Sequence, residues 1–159
     1  MAESVSIEEK TPAKQYSTIE KAEGYKKYFN SCALEFELIQ KPSIVGLIGK
    51  SLKDKEVIDY ACGNGESTKF LSDLNPSKLV GVDVSQTMID LAIKECSSHP
   101  TYSKIDYHVR DCSQPVGLGQ FDLVFSRHLL NYPQTKEILF GRLFILNIKS
   151  SLISNYINC

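Results

Sequence analysis

The chain has 159 residues, 42% of them apolar and 23% charged, with a formal charge of −1. Such a composition supports one soluble globular domain with a real core. It offers no basic surface for nucleic acid, and no apolar run is long enough to span a bilayer.

The five cysteines, Cys32, Cys62, Cys96, Cys112 and Cys159, are widely spaced and include no CxxC pair. That argues against a disulfide framework or a structural zinc site and predicts reduced, mostly buried thiols in a cytoplasmic protein. Residues 1–17 are polar, lack the basic start and apolar stretch of a secretory signal, and read as a disordered tail. From Thr18 to Gln40 the residues Ile19, Ala22, Tyr25, Phe29, Cys32 and Phe36 recur at spacings of three and four, predicting a helix that Gly24 weakens. Pro42 suits the first turn of a second helix, PSIVGLIG, stopped by Gly49. Residues 18–50 thus read as an N-terminal helical cap.

Residues 51–137 then alternate between strands and helices. EVIDY (56–60) is a predicted strand, and Ser67 to Leu74 a helix with Phe70, Leu71 and Leu74 on one side. LVGVDV (79–84) is a second strand. Ser85 is a good N-cap for the helix QTMIDLAIKEC, whose inward face carries Met88, Leu91, Ala92 and Cys96. IDYHV (105–109) and FDLVFSR (121–127) are the third and fourth strands. Largely apolar strands alternating with helices predict an α/β fold with a doubly wound, mostly parallel sheet.

Ligands of such sheets bind beyond the carboxyl ends of the strands, where strand order reverses. The segment VIDYACGNG falls there. Gly63 and Gly65 let backbone approach a ligand closely and adopt unusual dihedrals. Asp83, at the end of the second strand and 18 residues after Gly65, suits the two hydroxyls of a ribose. Asp111, past the third strand, suits an adenine amino group. A dinucleotide turn has a third glycine where this chain has Thr68, and it usually lacks an acid ahead of the turn. Asp59 therefore points to a cofactor carrying an ammonium or sulfonium group.

VIDYACGNG resembles motif I of the class I S-adenosylmethionine-dependent methyltransferases, D-x-x-x-G-x-G. LVGVDVSQTMIDLA, VRDC and FDLVFSRHLLNY resemble the following three motifs, in order and at the usual spacing. The likeness is greatest to small-molecule methyltransferases with a short N-terminal helical cap. It implies a Rossmann-like fold, S-adenosylmethionine as cofactor and a small-molecule methyl acceptor. It further implies that Asp59, Ala61, Gly63 and Gly65 line the methionine and ribose, with Asp83 on the ribose hydroxyls. Val84 and Met88 would pack on adenine, Asp111 and the backbone of Cys112 would read its edge, and Ser126 would lie near the methionine moiety. Tyr25 is the first candidate for a cap tyrosine reaching the ligand, Tyr28 the second. Packing inside the protein is the alternative role for Met88 and Tyr25. After the fourth strand, His128 is the candidate base for the acceptor and Arg127 the candidate contact for an acidic substrate, with structural hydrogen bonding as the alternative for both. No metal is implied.

The chain departs from the family after that strand. Beyond Glu137 there is no acidic residue, and the apolar segment 138–159 matches neither the family pattern nor the rest of the chain. About four of the family's seven strands are recognisable. This predicts an incomplete sheet and a truncated or alternatively spliced product. The fourth strand would be left as an apolar edge, open to self-association or to cover by the tail. Two functions follow: a methyltransferase, or an inactive cofactor-binding fragment that regulates a full-length relative.

Overall fold

The computed structural model describes residues 16–97, 101–112 and 116–127. Helix α1 (Ile19–Ser31) runs unbroken through Gly24. After Cys32 come a helical turn (Ala33–Glu35), a π-helical segment (Phe36–Gln40) and α2 (Lys41–Ile48). The interruption thus falls at Cys32, not ahead of Pro42. The Lys41 N–H reaches back to Phe36 O, five residues earlier. That wider turn relieves the crowding that the ring of Pro42 imposes on the carbonyl four residues before it. Gly49, at φ 90°, ends α2.

The sheet comprises β1 (Glu56–Tyr60), β2 (Lys78–Asp83), β3 (Asp106–Val109) and β4 (Leu123–Phe125), all parallel, in the order β3-β2-β1-β4. Helices α3 (Glu66–Asp73) and α4 (Gln86–Cys96) follow β1 and β2, and a 3₁₀ turn (Tyr102–Lys104) precedes β3. The chain moves outward from β1 to β2 to β3, then returns to the other side of β1 for β4. The order therefore reverses at β1, and the crevice beyond β1 and β4 is the switch point. This is the α/β, Rossmann-like arrangement that the alternation predicts. Among the described residues β4 is an edge strand, and the fourth predicted strand is shorter than expected.

One sheet face packs Val57, Leu79, Leu123 and Phe125 against Phe36, Ile44, Leu52, Phe70 and Leu71. Each fully buried aliphatic side chain there contributes about 1.5–3 kcal/mol. The other face, with Ile58, Tyr60, Val80, Val82 and Val124, packs against Cys112, Phe121, Val116 and Leu118. Ser85 caps α4 as predicted, accepting from Met88 N. The buried face of α4 is Met88, Ile89, Ala92 and Cys96, so Ile89 takes the place expected for Leu91. Ile19, the first residue of the periodic set in α1, is 71% exposed. The segments 1–15 and 128–159, with the predicted tails at either end, lie outside the described residues.

Candidate functional site

Three residues at positive φ wind the chain from β1 into α3: Ala61 at 56°, Gly63 at 54° and Gly65 at 82°. Ala61 holds a left-handed conformation that a residue with a Cβ adopts at a cost. The turn is tied to β2 by two bonds. Cys62 N–H donates to Val82 O at 3.0 Å, and Gly63 N–H donates to Asp83 Oδ2 at 2.9 Å.

Asp83 is the hinge of the site. Its Oδ1 accepts from Ser85 N–H at 2.9 Å, so one carboxylate joins the glycine turn to the start of α4. Burial raises its pKa, and backbone N–H groups of Ser85, Gly63 and Val84 oppose that rise. Each carboxylate oxygen has capacity beyond one backbone bond, so ligand hydroxyls can be accepted as well. Arg110 N–H donates to the Asp83 carbonyl at 2.8 Å, which brings the segment after β3 alongside. Asp111 is exposed there, two residues past a strand that ends at Val109, and Cys112 is buried. Burial pushes the Cys112 thiol up to about 12 and the Cys62 thiol well up, so neither is a nucleophile at neutral pH.

Asp59 is placed differently from what the sequence suggests. It is 1% exposed, and its Oδ2 accepts from Thr68 Oγ1 at 2.7 Å. Burial pushes its pKa up to about 7; the Thr68 bond and Arg127 pull down, and Asp83 pushes up. Asp59 thus lies inside, behind the turn and bonded to α3, rather than on an open surface. Met88 is likewise interior, at 2% exposure, while Val84 is half-buried.

Tyr25 closes the turn from above. Its Cε1 lies 3.8 Å from where a Gly63 Cβ would stand, and its ring meets Tyr16 edge-on at 5.3 Å. Tyr28, the second candidate, is 64% exposed. The missing Cβ of Gly65 faces Tyr107 and Ala92, not open space.

At the switch point, Ser126 follows Phe125, the register partner of Asp59. Its buried hydroxyl has no hydrogen-bond partner among the described residues, and neither has the buried Asn64 Nδ2 in the turn. Buried polar atoms normally find partners. Two orphans flanking a clamped carboxylate and a tyrosine-covered turn fit a polar ligand such as a nucleoside cofactor. Arg127 is half-buried with its Cζ 4.2 Å from the centre of the Phe36 ring. Burial lowers its pKa, against raising contributions from Tyr25, Asp59, Glu35 and Glu66. His128 lies outside the described residues. His108 pairs with Asp106 at 2.9 Å, away from the turn in role.

A family model described as "Methyltransferase domain" matches residues 57–143, more than half of the chain. The chain belongs to the methyltransferase-domain family. Among curated methyltransferases it is 25% identical over 91 residues to phosphoethanolamine N-methyltransferase 1 of Triticum aestivum, covering 57% of this chain and 18% of that one. It is 29% identical over 89 residues to N-demethylindolmycin N-methyltransferase of Streptomyces griseus, covering 54% of this chain and 36% of that one. The chain therefore spans from 18% to 36% of the length of these two relatives. Among solved structures, a TehB-like S-adenosylmethionine-dependent methyltransferase from Corynebacterium glutamicum shares the fold at TM-score 0.63 and 16% identity, over 82% of this chain and 68% of that one. Magnesium protoporphyrin IX methyltransferase from Synechocystis PCC 6803, solved with bound SAM, does so at TM-score 0.58 and 22% identity, over 69% and 53%.

Within this methyltransferase domain the structure brings Ala61, Gly63, Asp83 and Tyr25 together, with Ser126 at the neighbouring strand end. Asn64 and Tyr107, which the sequence reading does not name, stand beside them, as do Thr68 and Ser85, which it names only for the missing third glycine and the helix cap. Gly81 inside a strand was the available signal for Tyr107, since such a glycine marks close approach by another group.

Proposed function

We propose that this chain is the cofactor-binding part of an S-adenosylmethionine-dependent methyltransferase serving a small-molecule acceptor. The observation that carries the proposal is the Asp83 carboxylate, which grips Gly63 and Ser85 at the carboxyl end of β2. It stands where a ribose is held in sheets of this order, with lone pairs to spare. The bound cofactor supplies an electrophilic methyl group on a sulfonium. The protein residues bind and orient around it. Asp83 holds the ribose hydroxyls, and Val84, Met88, Asp111 and the Cys112 backbone serve the adenine. Ala61, Gly63, Gly65 and Ser126 serve the ribose and methionine end. Asp59 holds Thr68 behind the turn and gains negative charge as pH rises through 7, and Tyr25 excludes water from above. Arg127 is assigned to an acidic group of the acceptor and His128 to proton removal from its nucleophile, since an imidazole accepts a proton near neutral pH.

Among the described residues no helix is long and apolar enough to cross a membrane. We place the protein in the cytoplasm, a location that the free Cys32, Cys62, Cys96 and Cys112 support. The near-neutral charge supports a small molecule rather than nucleic acid as partner. A second reading is an inactive cofactor-binding fragment that regulates a longer relative. Self-association is proposed through β4, which among the described residues is an edge strand.

Calorimetric titration with S-adenosylhomocysteine tests the proposal. Binding that disappears in Asp83→Ala, with none for NAD, is the expected result. A folded, monodisperse chain that binds nothing would end the cofactor reading. Binding without methyl transfer to any acceptor in a small-molecule panel would favour the fragment.

A further inference from the structure

Tyr107 stands on β3 directly beside Gly81 of β2. A Cβ at Gly81 would lie 2.6 Å from Tyr107 Cε1, 2.7 Å from Cδ1 and 3.3 Å from Cys62 Sγ. Gly81 does not sit at positive φ, so backbone conformation does not demand a glycine there. The tyrosine ring does. At its far end, Tyr107 Oη would sit 2.6 Å from a Cβ at Gly65, the last residue of the turn. The same hydroxyl lies 3.4 Å from Cys96 Sγ on α4, and Gly65 leads directly into the first turn of α3, which carries Thr68. Thr68 in turn donates to Asp59. One side chain thus touches the strand next to the turn, the turn's last residue and α4, and through that last residue bears on the helix that carries the donor of the buried acid.

We propose that Tyr107 is a positioning residue for the cofactor turn. Its ring fills the space left by Gly81, and its hydroxyl sets where Gly65, Thr68 and Asp59 stand. Gly65 is a glycine for the sake of Tyr107 as well as for its own backbone. Interiors are packed closely enough that moving this ring moves the turn. The effect on ligand rests on the cofactor reading given above.

Gly81→Ala is the sharpest probe, because it introduces no strain in φ and lies outside the turn. Its effect on S-adenosylhomocysteine affinity is compared in the wild-type and Tyr107→Leu backgrounds, with Tm recorded for all four chains. Contacting pairs couple measurably in such a cycle. Gly81→Ala alone is expected to weaken binding about tenfold, and about threefold or less once Leu replaces the ring. Tyr107→Phe keeps the ring and is expected to hold Tm while raising Kd severalfold, a split that a purely structural role does not give. Equal weakening by Gly81→Ala in both backgrounds would overturn the proposal. So would a Tyr107→Phe chain with unchanged affinity, which also decides the matter if Gly81→Ala does not fold. A folded wild type that binds no ligand would instead sink the cofactor reading. Coupling between Gly81 and Tyr107 in Tm would then report on the support of the turn alone.

Discussion

Thr68 Oγ1 donates a 2.7 Å hydrogen bond to Asp59 Oδ2, across the junction where β1 feeds α3. The carboxyl it serves is buried, so the bond fixes the first turn of the helix to the strand and partly offsets a large desolvation cost. A third turn glycine could not do this. The residue that argues against a dinucleotide turn is also the one that holds the motif acid.

That arrangement makes stability depend on pH. Burial pushes Asp59 up to about 7 from 3.8, so the folded state holds its proton over a range where the unfolded chain has released it. The resulting stabilisation is full below pH 4 and is lost as pH rises to 7, by about 4 kcal/mol if the shift is fully expressed. Asp83, also raised by burial, adds in the same sense. Asp59→Asn is expected to flatten this fall, and Thr68→Val to steepen it. Urea unfolding at pH 5 and pH 7.5 checks both. Parallel slopes for wild type and Asp59→Asn would show that Asp59 is already ionised at pH 5.

Asp83→Asn tests the clamp. An amide keeps one acceptor but turns its NH₂ toward a backbone N–H, so either Gly63 or Ser85 loses its partner. A stability loss of about 1–3 kcal/mol is expected, the cost of an unsatisfied buried donor. Affinity for S-adenosylhomocysteine should fall further than stability does, because the ribose acceptor is altered too. Full affinity in a destabilised chain would place the ribose elsewhere.

Much of this was legible in the sequence, for a physical reason. The apolar runs at 57–58, 79–80 and 123–125 could only be buried strands, and the N-cap pattern of Ser85 fixed α4 to the residue. The carboxyl ends of those strands then placed Asp83 and the glycine turn by topology alone. Side-chain direction was not legible. Asp59 alternates inward on β1, which no spacing reveals until the helix above it is known. One residue of the inward face of α4 differed, Ile89 in place of Leu91, because aliphatic residues at 89, 91 and 93 serve either choice. Tyr107 stayed hidden since its contacts lie on β2, the turn and α4, remote in sequence.

The cap is held by contacts that can be cut one at a time. Tyr25 rests over Gly63, and Lys26 pairs with Glu95 of α4 at 2.5 Å. Ser85 Oγ donates to the Tyr16 carbonyl at 2.8 Å. The ion pair is part-exposed and adds little. The Tyr25 ring therefore carries more of the docking, through the apolar area it covers over the turn. Tyr25→Ala is expected to speed limited proteolysis within α1 and weaken ligand binding, while Lys26→Ala changes neither appreciably. Equal protection of α1 in wild type and Tyr25→Ala would show that the cap docks without this ring.

Ser126 gives the cleanest separation of folding from binding. Its hydroxyl is buried and has no partner among the described residues, so the folded protein bears a desolvation cost that no bond offsets. Ser126→Ala removes that cost along with one atom from the switch-point crevice. The ligand-free chain should gain stability, by about 1 kcal/mol. If the hydroxyl awaits a ligand, affinity for S-adenosylhomocysteine should fall in the same variant, since the bound state loses a hydrogen bond that the free state never made. Paired thermal melts, with and without ligand, measure both. A rise in Tm without ligand and a smaller ligand-induced shift is the signature of a binding group. A rise in both would mark Ser126 as a misfit in the core, and would move the methionine end of the site away from β4.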